Sequence, residues 1–434
     1  MKESVNIFWF RRDLRLDDNV GFYNALKSEH PVLPVFIFDE DILTKLPKQD
    51  ARLNFIYETL QEMRATLKKT HNSGIAMFYG KPTEIFKKLA SAYTIDTVFT
   101  NRDYEPYATE RDQQIEELLT KNAIKFETFK DQVIFEKNEV VKKDGLPYKV
   151  YTPFMKVWKE KFKTFHLDFY YTSSFLKNLI QDTNLPNLSL AAIGFEPASQ
   201  KIEKYTVTPK LIQTYEETRN FPALDSTSKL GPHLRFGTVS VRKMIAKAIS
   251  EKNEIFWQEL IWREFFMQIL WHFPHTSKSA FKPKYDRIDW RNNEAEFDMW
   301  CKGQTGYPLV DAGMRQLNET GFMHNRIRML VGSFLCKHLL IDWRWGEAYF
   351  AEKLHDYEMS SNVGNWQWVA GSGVDAAPYF RIFNPTTQIK KFDKDLIYIK
   401  KWVPDFQEFT YAKEMVDHKE ARERCLSTYK EALQ

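Results

Sequence analysis

"VNIFWFRRDLRLDDN", residues 5–19, runs almost wholly apolar for six residues and then turns abruptly into charge. A short apolar run that stops at polar residues reads as a buried strand. The pattern recurs at "VLPVFIF" (32–38), "IAMFYG" (75–80), "DTVFT" (96–100) and "IKFETF" (124–129). Between these runs, "ARLNFIYETLQEMRATLKK" (51–69), "PTEIFKKLASAY" (82–93) and "ATERDQQIEELLTKN" (108–122) carry apolar residues at helical spacing. Strands that alternate with helices imply a parallel, doubly wound α/β sheet over residues 1–130. The glycine-rich phosphate signatures GxGxxG and GxxxxGK[ST] are absent after the first strand. The charges at 11–18 read locally as a solvated turn and a helix entry.

Residues 131–208 mix short helical pieces with Pro147, Pro153, Pro186 and Pro197 and read as a linker along the surface. From 209 to 434 the periodicity is helical. The expected architecture is an α/β N-terminal domain, a linker and an all-α C-terminal domain. The 434 residues allow two or three domains of the usual size. Ten of the twelve tryptophans lie beyond residue 250, so the helical part is built around indoles. A net charge of +4 permits a polyanionic partner, with local basic patches carrying the affinity. Cys301, Cys336 and Cys425 are odd in number and far apart, which suits a reducing compartment and offers no metal or disulfide framework. The N-terminus lacks a signal-peptide pattern and no apolar run reaches membrane length, so a cytoplasmic protein is expected.

Three stretches of the helical part hold polar groups where a core is expected. On "FWQELIWREFFMQILWHF" (256–273), Glu259, Trp262, Arg263 and Phe266 share one face. Taken alone, Glu259 and Arg263 read as an exposed i, i+4 ion pair beside packing aromatics. On "GFMHNRIRMLVGSFL" (321–335), Asn325, Arg328 and Met329 share a face and Arg326 turns elsewhere. In "TSKLGPHLRFGTVS" (227–240), Thr227 and Ser228 could hold phosphate oxygens, but locally they read better as a helix cap. "HDYEMSSN" (355–362) places Asp356, Glu358 and Asn362 just ahead of Trp366 and Trp368. These two indoles are neighbours that must point in different directions on a helix.

Taken in order, "FWFRRDLRLDDN", "TSKLGPHL", "ELIWREFF", "TGYPLVDAGMRQL", "TGFMHNRIRM", "SNVGNWQW" and "DAAPYFRIFNPTTQ" resemble the motifs of the DNA photolyase and cryptochrome family. The likeness runs along nearly the whole chain and is strongest to the bacterial class I cyclobutane pyrimidine dimer photolyases. It implies an N-terminal antenna-type domain and a helical domain that binds FAD folded back on itself, active as FADH⁻. Tyr215, Thr227, Ser228, Lys229, Leu230 and Gly231 would line the phosphates and ribityl chain, with Gly231 standing where serine is frequent. Glu259, Arg263, Phe266 and Asn325 would complete the cofactor's surroundings. Arg328 and Asp356 would pair beside the isoalloxazine, Glu358 would meet it through its backbone, and Asn362 would face flavin N5. Plant cryptochromes carry aspartate at that last position and animal ones cysteine. An amide has no titratable proton to give.

By the same resemblance, Trp366, Trp343 and Trp290 form an electron-transfer chain, with Trp345 the alternative middle member. Trp262 and Trp368 would wall the pocket for a flipped pyrimidine dimer, and Glu259 and Asn325 would bind its polar edges. Burial would let Glu259 share a proton. Met329 stands where (6-4) photolyases place a histidine, and methionine supplies no proton. Arg219, Arg326 and Arg381, with Trp262 and Trp368, are the implied DNA contacts, which makes binding salt-dependent. The expected activity is that of a deoxyribodipyrimidine photo-lyase acting as a monomer on DNA, with no membrane. The alternative is a blue-light receptor of the cryptochrome type without repair. A second, antenna chromophore in this family is a folate, a deazaflavin or a flavin. Glu110 lies near a folate-contacting position, without the Cys–Lys pair that accompanies it in some members.

Overall fold

The computed structural model of the chain describes residues 4–434. The chain forms two compact units: one from residues up to Glu136, Lys161–Tyr205 and Leu230–Ser250, the other from Lys137–Glu160, Thr206–Lys229 and Glu251–Gln434. The stretch expected as a linker is thus shared between the two. Leu176, Leu179, Ile193 and Phe195 join the apolar core of the first unit, while Tyr151, Phe154 and Trp158 are buried within the second. Their apolar side chains leave no reason for the segment to stay on the surface.

In the first unit, strands β1 (Ser4–Phe10), β2 (Val32–Asp39), β3 (Ala76–Gly80), β4 (Thr94–Asn101) and β5 (Lys125–Phe129) form one sheet in the order β3-β2-β1-β4-β5. Every neighbouring pair is parallel. Alternate residues of each strand point to opposite faces. Phe8, Phe10, Phe36 and Phe38 therefore meet helices α1 (Val20–Lys27) and α2 (Ala51–His71) on one face. Ile7, Trp9, Val35 and Ile37 meet α3 (Pro82–Ala92) and α4 (Pro106–Lys121) on the other. With both faces covered, the strands need near-continuous apolar sequence, which is why they were readable.

The charged turn after β1 is not solvated. Asp13, Asp18 and Asn19 are buried, and each has partners. The Asn19 side chain caps α1 by accepting the Phe22 N–H. Asp13 accepts the Asn101 amide at 2.5 Å and the Arg11 backbone N–H at 2.7 Å. Arg12 pairs with Asp103 at 3.0 Å and Glu105 at 3.2 Å. Arg15 donates to both oxygens of Asp131 at 2.7 Å. Arg242, from the Val241–Ile249 helix, reaches Asp131 at 2.8 Å and Asp18 at 3.2 Å. This network occupies the carboxyl ends of β1 and β4, the point where the strand order reverses.

The second unit is helical. Its site is carried by α5 (Pro209–Thr218), α6 (Ile255–His272), α7 (Pro308–Thr320), α8 (Asn325–Ser333), α9 (Trp343–Lys353) and α10 (Met359–Ala370). One core runs through Trp300, Leu317, Val331, Phe334, Trp343 and Trp366. Two glycines let α10 pack closely. A Cβ added at Gly346 of α9 would overlap the Trp366 indole, and one added at Gly364 would overlap the Phe266 ring of α6. Among the described residues, no helix is long and apolar enough to cross a membrane.

Burial alone would raise the Asp131 carboxyl, but the Arg15 and Arg242 guanidiniums outweigh it and hold it down at about 2. A carboxylate depressed in the folded state stabilises above its unfolded value, ~3.9. That contribution fades as pH drops below the unfolded value and is gone once pH passes through about 2. Replacing the carboxylate strands two guanidiniums, so D131N is expected to cost ~3–5 kcal/mol at pH 7, read from the urea midpoint. The gap between D131N and the parent should close as the titration approaches pH 2.

Candidate functional site

The polar stripe on α6 is held from outside the helix. Arg263 does not pair with Glu259 four residues earlier. Its guanidinium reaches the Glu358 carboxylate through Nε and Nη2, both at 3.1 Å, and both side chains are nearly buried, at 11% and 7% exposure. Glu358 is the N-cap residue of α10, yet its side chain caps nothing, because it is committed to Arg263. The Glu358 side chain is thus held by Arg263. Glu259 pairs instead with Arg219, the residue that ends α5. Its side chain is 34% exposed, so the deep burial on which proton sharing would rest is not found. The rivals read from local sequence failed because both partners lie far along the chain.

The start of α8 repeats the arrangement. Arg328 forms a bidentate pair with Asp356, at 3.1 and 2.8 Å, as expected, and its Nε donates to the Met323 carbonyl at 2.7 Å. His324 caps the helix: its Nδ1 accepts the Arg326 N–H at 3.2 Å. The proton of the neutral ring then sits on Nε2, a buried donor with no partner among the described residues. Burial, and after it the fields of Arg328, Arg326, Lys229 and Arg219, push His324 down to about 4. Arg326 is lowered by burial and by Arg219 and Arg381. It donates to the Asn220 side chain at 2.5 Å and lies over Phe392 at 4.3 Å. Neither Arg326 nor Arg381 has a carboxylate partner among the described residues. Five cationic side chains thus act on one neighbourhood that holds too few carboxylates to neutralise them.

Around this cluster, Lys229 lies 3.8 Å from the centre of the Phe322 ring, and Asn325 is exposed. The Met329 sulfur stands 3.8 Å from Arg326. Thr227 and Ser228 do not cap a helix. The next helix, Gly231–Arg235, has Leu230 at its N-cap and no side-chain cap bond. Leu230 and Gly231 belong to that short helix and to the first unit. Tyr215 packs edge-on against Phe256 at 5.3 Å, with Arg219 over its ring. Burial, with help from Glu259, pushes its hydroxyl up to about 12. Glu110 is exposed on α4.

The two tryptophans of α10 diverge. Trp366 is buried, 4.9 Å from Phe350 and 6.2 Å from Trp300, both edge to face. Trp368 is half-buried at the margin of the same core. Between them, Gln367 is fully used. Its oxygen accepts the Phe281 N–H, and its nitrogen donates to the Thr276 and Ser279 carbonyls. Trp343 is buried under Arg344, and half-buried Trp290 meets Tyr429 edge-on at 6.0 Å. Trp345 packs on Phe297 at 5.2 Å. On α6, Trp262 stacks on Tyr151 at 3.6 Å and 9°, and on Phe266 at 5.5 Å.

Two residues that the sequence did not single out complete the set. Glu347 of α9 accepts the Asn362 amide nitrogen at 3.0 Å, and its backbone carbonyl accepts it at 3.1 Å. Asn362 therefore keeps its side-chain oxygen free to accept from a donor. The signal was present: Glu347 lies four residues after Trp343, on the helix that faces α10. His324 had no such signal.

These features fit FAD. A pyrophosphate suits a surplus of cations over carboxylates, here five against Asp225, Glu259 and Asp356; an unpartnered buried N–H suits a polar ligand, and a fixed amide oxygen suits a ring N–H. Truncating one member of a buried ion pair leaves the other charge uncompensated. E358A is expected to lower stability by ~3–5 kcal/mol, measured as a shift of the urea midpoint, with the R263M/E358L double variant recovering much of it.

The family model described as DNA photolyase matches residues 6–170, and that of the FAD binding domain of DNA photolyase matches 256–410. The deoxyribodipyrimidine photo-lyase of Vibrio cholerae is 35% identical over 99% of this chain and 100% of its own length. The crystal structure of a bacterial class III photolyase from Agrobacterium tumefaciens superposes with a TM-score of 0.88 at 33% identity, covering 100% of this chain and 98% of that one. An archaeal photolyase from Sulfolobus tokodaii, solved with two FAD molecules, gives 0.82 at 32%, over 98% and 100%. The likeness extends beyond the class I type suggested by the motifs. Family matches in both halves, full-length relatives and the cofactor-ready geometry together make this chain a member of the DNA photolyase family.

Proposed function

We propose that the chain repairs cyclobutane pyrimidine dimers in DNA, as a monomer in the cytoplasm. The observation that carries this reading is that Glu259, one turn before half-buried Trp262 on α6, pairs with Arg219, and that Arg326, within the fields of Arg219 and Arg381, has no carboxylate partner among the described residues. FAD bound in its reduced form would, on excitation by light, lend the dimer the electron that opens the cyclobutane ring and would take it back from the separated pyrimidines. The rest is positioning by the protein. Trp262 and Trp368 offer apolar faces on which the two flipped pyrimidines of the dimer can stack. Exposed Asn325 presents both an amide donor and an acceptor to pyrimidine edges, and Glu259, steadied by Arg219, presents a carboxylate. Arg326 and Arg381 are placed to hold backbone phosphates. Met329 brings bulk and no proton, which argues against the acid chemistry of (6-4) repair. Thr227, Ser228 and Lys229 supply hydroxyls and charge for the cofactor's phosphates and sugar chain, Arg328 pairs with Asp356 beside the isoalloxazine, and Asn362 supplies a fixed acceptor. Trp366, Trp343 and Trp290 give a line of oxidisable rings from the buried core to a half-exposed position.

The first test uses photoreduced holoprotein with a thymine-dimer oligonucleotide under blue light, beside a (6-4) oligonucleotide and a dark reaction. Recovery of thymine absorbance is expected only in the light and only for the cyclobutane dimer. Flavin that photoreduces with neither lesion repaired would leave the light-receptor reading in its place. For the tryptophan line, W366F should lose photoreduction of the oxidised holoprotein while dithionite-reduced W366F repairs normally. Unimpaired photoreduction in W366F would refute the line.

A further inference from the structure

Tyr151 opens the Tyr151–Thr164 helix and touches both α6, which carries Trp262, and the segment that follows α10. Its ring lies parallel to Trp262, 9° from coplanar with centres 3.6 Å apart, the closest ring pair described in the molecule. Its hydroxyl donates to the Gln258 carbonyl, one turn before Trp262 on α6, at 2.7 Å. Its backbone N–H, one of the free donors at a helix start, donates to Asp375 Oδ2 at 3.1 Å. Asp375 lies seven residues past Trp368. The path between them is fixed, because the N–H groups of Gly371, Ser372 and Gly373 all donate to the Gln367 carbonyl at 3.0–3.1 Å. Asp375 itself adopts a left-handed φ of 45° that aspartate tolerates. One residue therefore grips Trp262 by its ring and the segment after Trp368 by its backbone.

A half-exposed indole on a helix surface is free to change rotamer unless something covers a face. Tyr151 covers one face of Trp262 in near-parallel contact, and Phe266 packs on the same indole from its own helix. We infer that Tyr151 is a positioning residue for the dimer pocket: it fixes the plane of Trp262 and its separation from Trp368, and so sets affinity for the flipped dimer. This rests on Trp262 and Trp368 being the pocket walls, as proposed above. The ring and the backbone N–H make the brace, so the hydroxyl is dispensable.

The test compares wild type, Y151F, Y151L and Y151A as reduced holoproteins, binding in the dark to thymine-dimer and undamaged oligonucleotides. Y151F should match wild type, and Y151A should bind the dimer about tenfold more weakly, with Y151L between them. Affinity for undamaged DNA, bound FAD per protein and repair per photon at saturating dimer should be unchanged in all of them. Equal dimer affinity for Y151A and a dimer-specific wild type overturns the brace alone. An equal loss toward both oligonucleotides, or loss of FAD, overturns it too, since Tyr151 would then merely support the fold. A wild type with no preference for the dimer overturns the pocket walls and the brace together.

Discussion

A guanidinium taken out of water is costly unless a carboxylate meets it, and in this chain two such pairs place the functional elements. Arg263 of α6 and Glu358 at the head of α10 satisfy each other almost out of contact with solvent. Because the pair is bidentate, it fixes angle as well as distance. Arg328 and Asp356 repeat the bond between α8 and the segment before α10. With these two ties in place, the faces of α6, α8 and α10 that carry Trp262, Asn325, Asn362 and Trp368 have settled orientations. Gly346 and Gly364 then allow α10 to settle closely against α9 and α6. The ties are not a large source of stability, because desolvation offsets most of the attraction. Their contribution is specificity of arrangement.

The same chemistry explains what the sequence could and could not tell. Strands buried on both faces must be continuously apolar, so all five sheet strands were legible from short runs alone. Trp366 and Trp368 were legible as divergent because helical geometry forbids them a common face. What escaped were partners remote in the chain. Arg242 is 224 residues from Asp18, and Glu259 meets Arg219 across 40. No local window holds such information, so the charged turn read as solvated and Glu259 as the partner of Arg263. The functional assignments came from the resemblance of whole motifs: Tyr151 lies between them, Glu347 was passed over although it sits four residues after Trp343, and His324 carried no signal of its own within "TGFMHNRIRM".

The cationic neighbourhood around His324 shows how one field serves two kinds of anion. Lys229 and Arg328 lie with the segments expected around a cofactor, and Arg326 and Arg381 with those expected around DNA. Histidine is the one ring here that could answer by changing charge near neutral pH. Burial and its cationic neighbours hold it neutral, with a transition only at about 4. Its tautomer is fixed by the Arg326 N–H, so the site keeps one proton arrangement throughout the physiological range.

The burial of the tryptophans proposed as a relay has a consequence for its direction. Trp366 is 3% exposed and Trp343 is 2%, both set among apolar rings and aliphatic side chains, whereas Trp290 is half-open to water. An indole that has lost an electron is a cation, and a cation is poorly solvated in an apolar interior. Its energy therefore falls at the position where water can polarise around it. Along the proposed relay this makes a solvation gradient, so a positive hole created at Trp366 would run outward and, once at Trp290, would be far less able to return.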